Sequence, residues 1–477
     1  MYRDSCNAGT LAEDLQVSTD EVKEGDFANA PRQEGYGHGG NGAAGVSATT
    51  RLDALDDTWP VMAPQAYHGL AGEFVEMVDP HTESDPAAVL VQLLIGFGNL
   101  IGRGAYALVE AVVHYCNLFG VAVGKTSRGR KGTSWGQVKA PLIAVDQVMP
   151  ADQSWQARVK SGLSSGEGLI YQVRDPFYET VARKVKGETV YEKEMVDSGE
   201  PDKRLLVVET EFAKVLRQIE RQGNVLSVVC RDAWDSEGLG TLVKNSPTTA
   251  TGAHISLIGH ITAEELKRYL TRTEAANGFG NRILWFCVRR SKILPEGGNI
   301  NEVDFAPFLK RLKKAVAFAN NAGEVSRTPQ GKALWAQVYP KLTEDVPGMV
   351  GALTSRAEAQ VLRLSMIFAL LDRTVFVGPE HLLPALAVWD YCEASVKHIF
   401  GQAIGDPVAD TILNALKAAP GGITRTEVNH LFGRHESADR IQQGIHELLN
   451  RGLIVIETIA TAGRPTNRFI LKKGIKP

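Results

Sequence analysis

Three apolar runs of strand length, each followed by a helix-patterned segment, constrain this chain more than any other feature. NLFGVAVG (117–124) leads into a loop rich in Gly, Ser, Lys and Arg, then into a helical pattern beginning near Thr133. LLVV (205–208) precedes a segment in which Phe212, Val215, Leu216 and Ile219 fall on one helical face. ISLIGHI (255–261) precedes TAEELKRYL, where Thr262 and Glu265 have capping-box spacing. Apolar strands alternating with amphipathic helices predict an α/β layer built on a largely parallel sheet. The charged stretch between Lys184 and Lys203 breaks the alternation and reads as an exposed hairpin or loop insertion.

The rest of the chain sorts around that layer. At 477 residues it is long enough for two to four structural units. Residues 1–55 are polar and glycine-rich, which predicts a disordered leader, with order beginning near Trp59. An N-terminal helical segment spans 56–104. Within it DPAAVLVQLLIGFGNLI reads as a buried helix, capped by Asp85 with Pro86 at its first position, and placed as a collar in front of the core. The α/β core spans 105–295, and a helical domain follows at 296–402, where Val361, Leu364, Phe368 and Leu371 share a stripe. Residues 403–477 read helix, helix, helix, strand, turn, strand, the pattern of a winged helix. Its signals are Thr424 with Glu427 as a second capping box, and Ser437 as the cap of a helix closed by Arg451 and Gly452.

A net charge of −3 argues against coating nucleic acid by bulk electrostatics but leaves room for a local basic surface. Five scattered cysteines offer neither a zinc site nor a disulfide framework and suit a reducing compartment. The start, MYRDSCNAGTLAEDLQ, has no signal-peptide pattern, and the longest apolar stretch is interrupted by Gln92 and Asn99. The expectation is a cytoplasmic protein with no membrane span.

The sharpest local signal is VAVGKTSRGRKGTSW. Binding a phosphate chain needs a glycine-rich turn whose N–H groups converge on anionic oxygens, a lysine for the β- and γ-phosphates, and a hydroxyl for Mg²⁺. Gly124, Thr126, Ser127, Gly129, Arg130, Lys131, Gly132, Thr133 and Ser134 supply those parts, with Lys131 on the phosphates and Thr133, or alternatively Ser134, on the metal. The usual pattern has lysine directly after the second glycine; here Arg130 intervenes and Gly132 separates Lys131 from Thr133. A basic surface turn is the competing reading of the same letters.

ATP hydrolysis also needs carboxylates for Mg²⁺ and for the attacking water. RLLVVETEF places Glu209 and Glu211 at the end of an apolar strand, the edge where parallel sheets bind ligands. Glu209 is assigned to the metal and Glu211 to the water, with Glu167 in SGLSSGEGLI as a rival base. His260, between strand and capped helix, is the candidate γ-phosphate sensor. Arg282 in NGFGNRILWF is the candidate arginine supplied to a neighbouring subunit, ahead of Arg272, because Gly278, Gly280 and Asn281 suit an exposed turn. Each has a plainer structural reading: a solvated strand end, a core histidine, a salt bridge.

In these segments the chain resembles the uncharacterised P-loop ATPase family often fused to primase–polymerase domains in bacterial plasmids, prophages and other mobile elements, a family related to RecA/RepA-type hexameric helicases. The resemblance runs from about Gly69 to about Gly401. It is carried by GLAGEFVEMVDPHTESDPAAVLVQLLIGFGNLIGRG, GRKGTSWG, SGLSSGEGLI, DKRLLVVETEF, TGAHISLIGHIT, NGFGNRILWF, and RAEAQVLRLSMIFALLD with VWDYCEASVKHIFG. It implies a RecA-like P-loop NTPase core with flanking helical segments, ATP held at Lys131 and Thr133 with Mg²⁺, and a homo-oligomer, a hexameric ring. Lys125 departs from the acidic or neutral residue expected at its position, and the polar first fifty residues cannot form the primase domain.

For DNA, the helix from Ser437 would present Arg440 and Gln443 to a duplex, and the turn ATAGRPTNRF would offer Arg464 and Arg468 to phosphates. Winged helices also dock proteins. In the core, Lys244 and Asn245 lie on a loop placed to grip single-stranded DNA in a channel, although no aromatic residue stands there for stacking. Two functions fit: an ATP-dependent DNA helicase or translocase replicating a mobile element, or an ATP-switched DNA-binding regulator or assembly factor that does not unwind.

Overall fold

The computed structural model describes residues 59–125, 131–146, 154–185, 188–241, 247–401, 406–433, 436–459 and 466–472. The leader read at 1–55 lies outside the described residues. The fold opens with α1 (Gly69–Val78) and α2 (Pro86–Leu100). Asp85 caps α2, its carboxylate accepting the Ala87 N–H at 3.0 Å, and Pro86 occupies the first turn. Every residue from Ala87 to Leu100 is buried. A helix apolar on all sides belongs inside a protein, and α2 is a wall of the core rather than a collar.

After an antiparallel pair, β1 (Ala105–Val109) and β2 (Val112–Tyr115), come β3 (Phe119–Gly124), α3 (Lys131–Val145), β4 (Val159–Lys160) and α4 (Gly166–Tyr171). A hairpin of β5 (Phe177–Val185) and β6 (Glu188–Asp197) then stands where the charged stretch was expected to protrude. The core continues with β7 (Arg204–Glu209), α5 (Phe212–Ile219), α6 (Leu226–Asp235), the short ribbon β8 (Leu239–Gly240) and β9 (Thr249–Ala250), then β10 (His254–Thr262), α7 (Ala263–Tyr269), α8 (Arg272–Ala276) and β11 (Ile283–Cys287). The capping box expected at Thr262 and Glu265 starts α7.

Strands β11, β3, β10, β7 and β4 form, in that order, a five-stranded sheet in which every pairing is parallel. Because side chains alternate along a strand, Ala122 and Ile258 enter one core with α2 and α3, whereas Val121, Val123 and Leu257 enter a second core with α5, α6 and α7. Helices approach both faces closely where the strands carry glycine. A Cβ on Gly120 would lie 2.5 Å from Ile95, and one on Gly259 would lie 2.8 Å from Phe212.

The next elements are α9 (Ala306–Ala319), β12 (Gly323–Glu324), β13 (Ser326–Arg327), α10 (Pro329–Leu342), α11 (Gly348–Thr354), α12 (Ala357–Leu371), β14 (Phe376–Val377) and α13 (Pro379–Phe400). α9, α12 and the first half of α13 join α2 and α3 in the first core, and α12 is buried all round rather than along one stripe. The chain ends with α14 (Pro407–Ala418), β15 (Ile423–Thr424), α15 (Arg425–Phe432), α16 (Ala438–Asn450), β16 (Ile454–Ile459) and β17 (Thr466–Leu471). These close on a separate core of Ile412, Leu416, Ile441, Ile445, Leu448 and Phe469, with an antiparallel sheet ordered β15, β17, β16. Thr424 with Glu427, and Ser437, cap α15 and α16 as their spacing predicts. Among the described residues no helix is long and apolar enough to cross a membrane.

Candidate functional site

The topology singles out one crevice. After β3 the chain crosses to the edge strand β4 through α3, which packs with α2 and α9 on one face of the sheet. After β10 it crosses to β11 through α7, which packs with α5 on the other face. Strands β3 and β10 are neighbours, with Gly124 opposite Thr262. Connections leaving adjacent parallel strands toward opposite faces open a gap at the strands' carboxyl ends, where α/β proteins take their ligands.

The glycine-rich connection leaves β3 at Gly124, on the edge of that gap. Gly124 is buried at the end of β3 and Lys125 is exposed beyond it. Thr126, Ser127, Gly129 and Arg130 lie outside the described residues. Lys131 begins α3, so the segment enters a helix two residues before the Thr133 start read in the sequence. Gly132 and Thr133 are exposed in the first turn, and Ser134 is buried. Of the two hydroxyls assigned to Mg²⁺, exposure favours Thr133. Among the described residues no atom lies within 4 Å of a Cβ added to Gly132, which leaves room for a ligand at the helix start. A cavity of about 80 Å³ between the ends of β3 and β11 and helices α7 and α13 brings Lys125 and Lys267 to its wall, two cations beside the gap.

Strand β10 lies between β3 and β7, which puts Glu209 about 10 Å to the side of Val121, three residues before the end of β3. Glu209 is 8% exposed, and its Oε1 accepts the N–H groups of both Gly162 and Leu163 at 2.6 Å. One oxygen of the assigned metal ligand therefore fixes the turn after β4, and only Oε2 is left to face an ion. That turn borders a cavity of about 330 Å³ lined by Ser161, Gly162, Ser164 and Ser165. These serines belong to SGLSSGEGLI, which the sequence marked for Glu167 without giving the serines a role, and they follow the short edge strand β4. Glu167, the rival base, is exposed in the first turn of α4. Glu211 is exposed and pairs with Lys214 at 2.6 Å, an ion pair that holds its carboxyl below the ordinary range.

Two assignments around the central sheet need correction. His260 does not emerge at the rim: it is 3% exposed, faces α2, and its Nε2 lies 3.1 Å from Gln92 Nε2. It stands two residues before the end of β10, where alternation turns its ring into the first core. Arg282 does not stand on an exposed turn. It is 7% exposed, bonds to Gly278 O and Asp235, and its guanidinium lies 5.7 Å from the Trp234 ring centroid. The apolar strand that follows draws the whole turn inward, so Arg282 is an internal bracket. Arg272 is more exposed and lies 3.6 Å from Glu447 of α16.

In the C-terminal unit Arg440 turns toward Asp406, at 2.8 Å, and so braces the start of α14 rather than reaching outward. Gln443 is exposed on α16. Arg468 lies on the central strand β17 opposite Glu457 and Thr424, half-buried rather than displayed at a loop tip. Lys244, Asn245 and Arg464 lie outside the described residues.

One cluster had no local sequence signal, since its members meet only through packing. His68, Asp372 and His381 bring three possible metal-ligand atoms within 4.8 Å of one another. Asp372 Oδ2 lies 2.7 Å from His68 Nε2 and 3.3 Å from His381 Nε2. His381 Nδ1 accepts the Gly378 N–H at 3.1 Å, which places that ring's proton on Nε2, pointing at the carboxylate. A metal would need the Nε2 lone pair, so the geometry fits a hydrogen-bonded clamp joining the start of α1, the end of α12 and the start of α13. Burial pushes the Asp372 carboxyl up, but the two imidazole donors outweigh it and hold the group below its ordinary value.

No family model matches the chain, and no curated protein matches it.

Proposed function

We propose that the chain is an ATPase acting on DNA, with a RecA-like P-loop core that takes ATP in the crevice beyond Gly124 and a C-terminal winged helix. The observation that carries this reading is the sheet order: the strand feeding the glycine-rich segment is the one at which the connections diverge. ATP would rest on the backbone of that segment and on Lys131 at the start of α3, with Mg²⁺ on Thr133 and, through its free oxygen, Glu209. Glu211 or Glu167 would orient water. The succession of three helices and an antiparallel three-stranded sheet after Asp406 supports the winged helix, with α16 as the element that meets duplex DNA and Gln443 on its exposed face. A ring of copies, hexameric as in the family it resembles, translocating on a mobile element's DNA, is the fullest form of the proposal.

The alternative, an ATP-switched DNA-binding factor without unwinding, gains from one observation. Arg282 is held inside its own subunit, which removes the arginine assigned to cross a boundary. The deciding experiment is steady-state ATP turnover with and without single-stranded DNA, followed by unwinding of a forked duplex. Stimulated turnover that Lys131→Ala reduces to background, with thermal unfolding unchanged, is the expected result. Turnover that Lys131→Ala leaves intact would refute the site. Turnover without unwinding would select the switch.

A further inference from the structure

The β5–β6 hairpin is left over by everything above, and its two faces differ in chemistry. Residues directly opposite on an antiparallel pair share a face. The pairings Tyr178 with Met195, Thr180 with Lys193, Ala182 with Tyr191 and Lys184 with Thr189 therefore define one face. It carries two tyrosines, a methionine and two lysines, and no carboxylate. The other face carries Glu179, Glu188, Glu192 and Glu194, and its Arg183 is already paired with Glu194 at 3.1 Å and Glu192 at 3.7 Å. The aromatic face is laid open: Tyr191 is 71% exposed, Met195 55% and Tyr178 52%. A two-stranded ribbon has no core of its own, and large apolar side chains displayed this way on one face mark a place where something binds.

We propose that this face holds an unpaired nucleic-acid strand, with bases stacked on Tyr178 and Tyr191 and phosphates drawn to Lys184 and Lys193. Charge selects the occupant. A polyanion is attracted to the lysine face and repelled by the glutamate face, so the strand is confined to one side of the ribbon. Aromatic rings interleaved with cations are the chemistry that grips single strands without reading their sequence. Tyr178 and Ala182, the partner of Tyr191, are four residues apart, which separates the two rings by about 13 Å along the strand.

The hairpin also stands on a fixed foot. Arg174 pairs with Asp197 at 2.6 Å, Lys203 with Asp175 at 2.8 Å and Arg158 with Glu200 at 2.8 Å. Asp175 is bound in turn to the β8–β9 ribbon, its N–H donating to Thr249 O at 2.8 Å and its carboxylate accepting the Thr251 N–H at 2.9 Å. That ribbon belongs to the loop DSEGLGTLVKNSPTTATG singled out in the sequence for single-stranded DNA, of which residues 242–246 lie outside the described residues.

The inference deepens the DNA part of the proposed function and does not depend on the nucleotide site. The test is fluorescence anisotropy of a labelled thymidine 20-mer with the full chain, without ATP, across a salt series. Replacing both rings (Y178A with Y191A) is expected to weaken single-strand binding at least tenfold while leaving a blunt duplex of equal length unaffected. K184Q with K193Q is expected to make the salt dependence shallower by about 1.4 in log–log slope, as two lost phosphate contacts require. E179Q with E194Q, on the other face, should not weaken binding. Circular dichroism checks that each variant is folded. Unchanged single-strand affinity in the tyrosine variant overturns the inference and leaves the rest of the DNA reading standing. A drop in oligomer mass by light scattering with unchanged affinity overturns it in favour of a second copy of this chain. A wild-type chain that binds no single strand overturns both.

Discussion

The two ends of the central sheet are built from opposite materials. At the amino ends of the strands, charged and amide side chains are packed inside the protein. Arg363 is 1% exposed, donates to Asn117 O at 2.7 Å and Trp234 O at 2.9 Å, and lies 3.6 Å from the Trp234 ring centroid. Arg282 and Arg356 share Asp235 and flank the same indole. Asn99 joins the starts of β7 and β10 by donating to Leu205 O and His254 O. At the carboxyl ends stand exposed small residues: Thr133, Gly132, Ser161, Gly162 and Ser164. Buried polar groups must find partners or cost stability, so a network like the first is a fastening. Exposed hydroxyls and glycines beside a topological gap fasten little, and their value lies in what they can bind.

The largest expected effect tests that division directly. Arg363→Ala removes three hydrogen bonds and empties a stacked site, and should lower unfolding free energy by about 3–5 kcal/mol. Thr133→Ala, on an exposed first turn, should move it by no more than ~0.5 kcal/mol while removing Mg²⁺-dependent turnover. Paired urea titrations and turnover assays read both quantities. If Thr133→Ala costs as much stability as Arg363→Ala, the two ends are not different in kind.

Glu209 sits on the boundary of the comparison, because it is a carboxyl-end residue doing a fastener's work. Glu209→Ala loses two amide bonds to the turn after β4 and should cost about 1–3 kcal/mol. Glu209→Gln keeps an oxygen for those amides and should cost less than ~1 kcal/mol while removing the charge offered to Mg²⁺. Matched stability with reduced turnover in the glutamine variant would place Glu209 in the metal shell. Matched stability with full turnover would confine it to holding the turn.

What could be read from the sequence divides along the same line. The strands at 119–124, 204–209 and 254–262, the helix starts at Pro86 and Ala263, and the capped helices after Thr424 and Ser437 follow from local patterns that packing left in place. His260 and Arg282 were misread because polarity alone does not say which way a strand residue faces or how far an apolar neighbour pulls a turn inward. Ala122 and Gln92 decide the first, and Trp285 and Trp234 the second, and all four act through space. The His68–Asp372–His381 clamp joins residues 304 positions apart, beyond any spacing rule. The hairpin was legible as an insertion, but the difference between its faces needed the observed register.

The effect that builds only as the medium is acidified belongs again to the amino end, and its sign is fixed by burial. Burial drives His254 down to about 3, against the hydrogen bond to Gly98 O that favours its charged form. A free histidine titrates near 6.5, so between about 6.5 and 3 the unfolded chain binds a proton that the folded chain refuses. The stability this group confers is therefore fully present above about pH 6.5 and falls as the medium is acidified, by up to ~1.4 kcal/mol per pH unit. His254→Gln puts an amide donor at the Nε2 position for Gly98 O and has no proton to take up. The difference in unfolding free energy between wild type and variant, followed from pH 7 to pH 4.5, isolates this histidine from the carboxylates that titrate in both. A difference that shrinks with acidification at about one proton's slope locates an acid-sensitive latch at the amino end; a flat difference would show that water reaches His254 and that this end is more open than its packing implies.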